Sequence, residues 1–336
     1  MNFAFNDDQL ALAATVRSVL RAHCPPRAVR DAGRDGDRTP AWSQLAKAGL
    51  FAMLVPERHD GLGLGMTDAI LAFEETGRAA LPGPVAETVA AAPVLLAAGT
   101  APAASALRGI AAGTTRVSVR LGDQVYVPDA DLADLLILEE DGEPYAVPAG
   151  AVRLTPQPGV DPVRRLFAVA FDPAPRTRLP HAGPAALRGV TVAVAAQLIG
   201  LARHLLETTV EYARTRRQFG TAVGTFQAVK HQLADVAIGV DFAAPLVYAA
   251  AFAIDRDLPS ADRDVSAAKA AAGEAADRAA RVALQVHGAI GYTDELDLRL
   301  WLARVWSLAS AYGDTGLHRA RLRSAILGTP ELRRWP

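Results

Sequence analysis

At 336 residues and 51% hydrophobic content, the chain is long enough to bury a sizeable core in two or three structural units, which excludes a disordered tail or a small stapled module. Lys and Arg number 35 against 36 Asp and Glu, a formal net charge of -1, so there is no global basic field to recruit nucleic acid or an anionic membrane, and any anion must be held by local placement of Arg. One cysteine, Cys24, excludes an internal disulfide, and seven histidines without an HxxxH or Cys/His cluster argue against a metal site, leaving the cytoplasm as the expected compartment.

The chain opens with acidic residues where a targeting peptide carries basic ones, and its apolar runs read as broken by Gly, Pro or charge before reaching spanning length. A soluble, unprocessed protein with no membrane insertion is expected. Asn6-Asp7-Asp8-Gln9 followed by Leu10, Leu12, Val16, Val19 and Leu20 predicts a first helix from about Asp7 to His23. A second is expected from Thr39-Pro40, carrying Trp42, Leu45, Leu50 and Phe51. The glycines of Val55–Gly65 lack a phosphate-loop pattern and read as a turn between helices. Met66 to Ala80 is helical, and Val85 to Ala112 suits two short helices.

Between Thr114 and Pro180 the texture changes to short β-type runs, such as Val117-Ser-Val-Arg and Leu135-Leu-Ile-Leu, divided by turn signals such as Asp141-Gly-Glu-Pro. Beyond it, helices are expected at about 184–215, 225–256, 261–287 and 294–311, with a short one after Thr315, and their short connections imply an antiparallel bundle. The expected fold is therefore mainly α with a small β unit: an N-terminal helical domain over 1–114, a reduced β domain over 115–180 and a C-terminal four-helix bundle over 181–336.

Two polar islands interrupt the alanine-rich bundle. One runs from Tyr212 through Arg216, Phe219 and Gly220 to Gln227; the other is Gln285-Val-His287-Gly288-Ala-Ile-Gly291-Tyr292-Thr293. Fixed Arg, Gln and Gly groups at helix ends suit an anionic nucleotide, with Arg216 giving charge-assisted bonds and Gly288 permitting close backbone approach. Taken alone, Arg216-Arg217 also reads as a solvated helix end and Gln285 as a surface residue, while His287 reads as fixing a local hydrogen bond.

The Arg-x-x-Phe-Gly-x6-Gln and Gln-x-x-Gly-x-x-Gly-Tyr patterns, set in this order of domains, resemble the acyl-CoA dehydrogenase family of flavoproteins across nearly the whole chain. Lesser matches are the Pro56-Glu57 turn, the Glu74-Glu75-x-Gly77-Arg78 helix end, and Arg304. The resemblance implies FAD, held across a subunit interface by Arg216, Phe219, Gly220, Gln227, Gln285 and Gly288, with Thr315 beside them. It further implies an acyl-CoA thioester as substrate and admits an electron-transfer flavoprotein as electron acceptor.

The same resemblance exposes what is missing. The family's glutamate base falls nine residues beyond the bundle arginine, and counting from Arg304 gives Gly313; the family's other base position gives Val190. Asp314 stands one residue beyond the usual place, where it reads either as a shorter base or as the N-cap of a helix from Thr315. The flavin-ring motifs Thr-Glu-Pro, Gly-Ser-Asp and Trp-x-x-Ser/Thr are absent between Thr114 and Pro180, a span with no Trp. The resemblance is then to the short, non-catalytic subunit of heteromeric (α2β2) members that act in bacterial steroid side-chain degradation. Two alternatives stand beside it: a homo-oligomeric FAD enzyme using Asp314 or altered flavin chemistry, and a flavin-free scaffold.

Overall fold

The computed structural model describes residues 4–34, 36–171, 175–180 and 183–328, so the outermost parts of the first and last expected domains, 1–3 and 329–336, lie outside the described residues. The N-terminal helices are α1 (Asp7–His23), α2 (Pro26–Ala32), α3 (Trp42–Lys47), α4 (Met66–Arg78), α5 (Val85–Ala90), α6 (Ala92–Ala98) and α7 (Ala101–Ala111). Asn6 and Gln9 close a capping box on α1, with Gln9 N donating to Asn6 Oδ1 at 2.8 Å and Asn6 N to Gln9 Oε1 at 2.9 Å. Three differences from the expected elements have local causes. Pro26 starts the short α2 at a first-turn position. Gly49, at φ +83°, stops α3 and separates it from the 3-10 turn carrying Leu50 and Phe51. The 85–112 run forms three helices: α5 ends at its C-cap Ala91, ahead of Pro93 in the first turn of α6, and Gly99 at φ +62° ends α6 before Thr100 caps α7.

The β unit holds β1 (Val117–Arg120), β2 (Val127–Pro128), β3 (Leu135–Glu140), β4 (Glu143–Pro148), β5 (Val152–Gln157), β6 (Leu166–Phe171) and β7 (Thr177–Arg178). They form one sheet in the order β1-β3-β4-β7, with β1 parallel to β3, and a second in the order β2-β6-β5. Period-two alternation serves two cores at once. Leu136 and Leu138 of β3 face a small core with Val127, Val147 and Phe167, whereas Ile137 between them joins the main helical core.

The C-terminal region comprises α8 (Gly183–Thr215), a two-residue hairpin of β8 (Arg217–Gln218) and β9 (Thr221–Ala222), α9 (Gln227–Asp255), α10 (Ala261–His287), α11 (Leu298–Ser310) and α12 (Thr315–Leu327). Contrary to the reading of broken apolar runs, α8 and α9 are each long and apolar enough to cross a membrane by length and composition. Gly, Pro and an occasional charge do not interrupt a helix enough to shorten its apolar window. In α8 that window is 89% buried inside the molecule, which identifies it as the central core helix; in α9 it is 39% buried. The small side chains of α8 serve close packing: Val190, Ala193 and Val194 are all but inaccessible, and Gln197 donates to Thr76 Oγ1 at 3.1 Å.

Two glycines set the approach of α4 to α8. A Cβ on Gly77 would lie 2.1 Å from the Gln197 carbonyl oxygen, and one on Gly200 would lie 1.9 Å from that of Glu74. The helices therefore cross with backbone against backbone, each glycine seated on the other helix. Flanking the crossing, buried Glu74 accepts from Tyr248 at 2.9 Å and pairs with Arg203 at 3.1 Å.

Gly77→Ala or Gly200→Ala is expected to lower unfolding free energy by about 3 kcal/mol or more through overpacking, whereas Gly239→Ala, mid-helix in α9 with nothing within 4 Å, is expected to raise it by about 0.5–1 kcal/mol. Urea melts of the three variants check both signs.

Candidate functional site

The ends of α8 and α10 meet where the polar islands begin. The Tyr212 and His287 rings stack at 4.1 Å, and the Tyr212 hydroxyl donates to the His287 carbonyl at 3.5 Å. Burial lowers the His287 pKa, and its Nδ1 is bound to the Ala283 carbonyl at 2.7 Å, so the imidazole is a fixed stacking surface. This contact brings both islands to one end of the bundle. There α8 gives way to the β8–β9 hairpin, closed by Val223 N donating to the Arg216 carbonyl at 2.8 Å.

At the hairpin tip Phe219 (φ +52°) and Gly220 (φ +83°) are both left-handed, and Phe219 is 91% exposed. An aromatic held there costs roughly 1 kcal/mol or more, and the contact shown for its ring within this chain is an edge-to-face one with Phe226 at 6.1 Å. Gly288, at φ +69° and ψ -150°, occupies a region open essentially only to glycine. Arg216, Gln227 and Gln285 are exposed, and their side chains make no hydrogen bond or ion pair among the described residues. Arg216, Phe219, Gly220, Gln227, Gln285 and Gly288 are thus all exposed, toward the end of the bundle where Tyr212 meets His287.

The turn expected to hold a base is built differently. Gly313 has φ +100°, and a Cβ there would sit 2.7 Å from His318 Nε2 and 3.0 Å from Leu317 Cδ2. A longer side chain meets strain and collision together. Asp314 is exposed, and its Oδ1 accepts from Leu317 N at 2.8 Å, capping α12. Thr315 opens α12 with its hydroxyl facing Gly273 of α10, where a Cβ would stand 2.9 Å away. The other expected base position, Val190, is a core residue of α8 at 1% exposure.

Buried groups pin this turn from behind. Lys269 of α10 donates to the Ala309 and Gly313 carbonyls, both at 2.9 Å, and burial lowers its ammonium to about 7. His318 donates from Nε2 to the Tyr312 carbonyl at 3.0 Å; burial, with the nearby Lys269 charge, holds its pKa down to about 3. Tyr312 is buried, its hydroxyl 3.0 Å from Glu87 Oε1 and 3.3 Å from the Val119 carbonyl, while its N–H donates to Gln124 Oε1 at 2.8 Å. Burial, then the Glu87 charge, raises its phenol well above the usual range.

Arg164 reaches into the same space from the β5–β6 loop, 3.5 Å from Glu87 and 3.4 Å from Ser307. Arg304 holds that loop down by pairing with Asp161 and donating to the Leu81 carbonyl at 2.8 Å. The β1–β2 connection and the β5–β6 loop therefore fill the junction between helices, β unit and bundle. Glu87, Gln124, Arg164 and Lys269 escaped sequence reasoning. Only Lys269 had a signal, a charge inside the alanine run of α10.

Asp314→Ala is expected to cost about 1 kcal/mol of stability and Asp314→Asn much less, as for a cap, with neither changing flavin chemistry. Acid sensitivity tests His318. Its folded pKa lies below the unfolded value of about 6.5, so between that value and about 3 the unfolded chain binds the extra proton. Stability is then lost as pH falls, by up to about 1.4 kcal/mol per unit, and His318→Gln should flatten that slope in urea titrations at each pH.

Comparison with known proteins agrees with this geometry. Residues 6–114 match the acyl-CoA dehydrogenase N-terminal domain and residues 186–327 the acyl-CoA dehydrogenase C-terminal domain. The chain is 33% identical over 332 residues to the acyl-CoA dehydrogenase IpdE2 of Mycobacterium tuberculosis, covering 96% of this chain and 99% of that protein. It superposes on the Tcur3481-Tcur3483 steroid ACAD G363A variant with TM-score 0.87 at 26% identity, covering 96% and 98% of the two chains. On the ChsE4-ChsE5 complex of M. tuberculosis it gives TM-score 0.88 at 22% identity, covering 98% and 100%. With both of its helical regions matched and a relative spanning its length, the chain belongs to the acyl-CoA dehydrogenase family, whose members are oxidoreductases acting on CH-CH groups.

Proposed function

We propose that this chain is the non-catalytic subunit of a heteromeric acyl-CoA dehydrogenase and completes an FAD site whose ring is held by an unlike partner. The observation that carries this reading is the contrast between two regions of the chain: the Arg216, Gln227 and Gln285 surface is open and unpaired, whereas the turn at Gly313 is walled in by His318 and Lys269. Residues fit the phosphate end of the cofactor and do not fit its ring. Arg216 would offer a charge-assisted donor to the pyrophosphate, Gln227 and Gln285 neutral donors, and Gly288 a close backbone approach. Phe219 would pack against the partner's surface or the nucleotide.

Bound FAD supplies the hydride acceptor for α,β-desaturation of an acyl-CoA thioester. In this chain, Asp314 is occupied as a helix cap and no residue stands at Gly313 or Val190 to remove a proton, so the base is assigned to the partner. A partner surface is supported by α9, where Ile238 (55%), Phe242 (77%) and Leu246 (41%) are exposed at four-residue spacing on one stripe. The steroid ACAD named for two proteins, Tcur3481-Tcur3483, supports a two-chain assembly.

Purified alone, the chain is expected to be colourless and inactive, and co-purified with its partner it should show flavin absorbance and turnover. Arg216→Ala should weaken flavin retention by the complex about tenfold while leaving the melting of the isolated chain unchanged. Stoichiometric flavin and turnover in the isolated chain would overturn the assignment.

A further inference from the structure

A second cavity lies between α1, α4, α8 and α11, lined by none of the island residues and none of the residues around Gly313. Its volume is about 260 Å³. Leu20, Cys24, Pro25, Pro26 and Ala79 form its walls, and His204 stacked on Trp301 at 4.3 Å and 16° forms a flat aromatic side. The indole N–H is already committed to the Arg78 carbonyl at 2.9 Å. On the imidazole, one nitrogen has a long contact of 3.3 Å to Thr208 Oγ1, and the other has no partner among the described residues. Burial, with the Arg78 charge, holds His204 down to about 4, so this side of the cavity is neutral and apolar near pH 7.

The rim is charged and does not balance. Arg17 binds Glu75 through two bonds of 2.9 and 2.6 Å, and Arg78 binds Glu207. That leaves Arg21, on the rim and exposed, without an ion pair among the described residues. An apolar slot with one surplus guanidinium at its mouth is complementary to an acid with a flat apolar body. Size narrows the choice: a cavity of roughly 150 Å³ accommodates benzene, and drug-sized pockets begin near 300 Å³, so one ring with a short acidic arm fills this one.

We infer that this cavity binds a small single-ring carboxylate, its ring lying in the slot beside His204 and Trp301 and its carboxylate meeting Arg21. The site shares no lining residue with the flavin surface. It is also independent of the thioester, because an intact acyl-CoA is far too large for it.

Cys24 is the chain's one cysteine and lines the cavity, so its alkylation reports occupancy without background from other thiols. Burial pushes this thiol up to about 12, and labelling of the full chain by a small uncharged maleimide is correspondingly slow. Benzoate is the probe, and benzamide is its uncharged control. Benzoate should slow the labelling in a saturable manner, and Arg21→Gln should raise the concentration needed about tenfold while leaving the weaker effect of benzamide unchanged. Ala79→Leu, which fills the slot, should abolish protection; Arg21 is exposed, so Arg21→Gln remains a folded test if Ala79→Leu is not. Unaltered labelling at every benzoate concentration, or equal protection in wild type and Arg21→Gln, would overturn the inference.

Discussion

The crossing of α4 and α8 is the constraint from which the remaining geometry follows. Two backbones touch there because Gly77 and Gly200 present no side chain, and no other residue type satisfies distances of about 2 Å from a Cβ to a carbonyl oxygen. With that distance fixed, α8 becomes the axis around which α9, α10 and α11 pack, and the Tyr212 end of α8 is delivered to the His287 end of α10. The meeting of Tyr212 with His287 is thus a remote consequence of a glycine contact in the middle of the molecule. Arg203, Glu74 and Tyr248 extend the same crossing to α9 through a buried polar cluster.

The turn at Gly313 is packed by groups from three directions: Lys269 from α10, His318 from α12, and Gln124 with Arg164 from the β unit. Each arrives already hydrogen-bonded or ion-paired, which limits the desolvation cost of burying charge. A buried network of this kind favours one arrangement of the three units over alternatives, since any shift leaves several polar groups unsatisfied at once.

Long periodic elements were legible in the sequence. α1, α4 and α8 to α10 follow from apolar spacing and from caps such as Asn6, whose chemistry is local. Less legible were boundaries set by single glycines, as where Gly49 and Gly99 divide expected helices, because a left-handed residue is identified by backbone angle and not by its neighbours. At the candidate site, the sequence was enough to put Arg216, Gln227, Gln285 and Gly288 at helix ends, because their spacing lies along the chain. The buried surroundings of Gly313 were not legible. Glu87, Gln124, Arg164 and Tyr312 are scattered over more than two hundred positions, and only the tertiary fold brings them together. The apolar windows of α8 and α9, read in the sequence as broken before spanning length, are continuous in the structure, and composition did not reveal that α8 is covered far more than α9.

The N-terminus of α4 is held by a residue from far along the chain. Asp255, at the last position of α9, accepts from Met66 N at 2.7 Å and from Thr67 N at 2.8 Å. While the protein is being made, the N-terminal helices emerge with α4 held only by the local bond from Gly65 N to Asp68 and with Gly77 facing no partner. They complete their packing only after the chain has been synthesised past α9. The native packing of the first hundred residues is therefore completed by the last third of the chain, and the face of α4 that meets α8 is the surface that an interrupted nascent chain leaves uncovered.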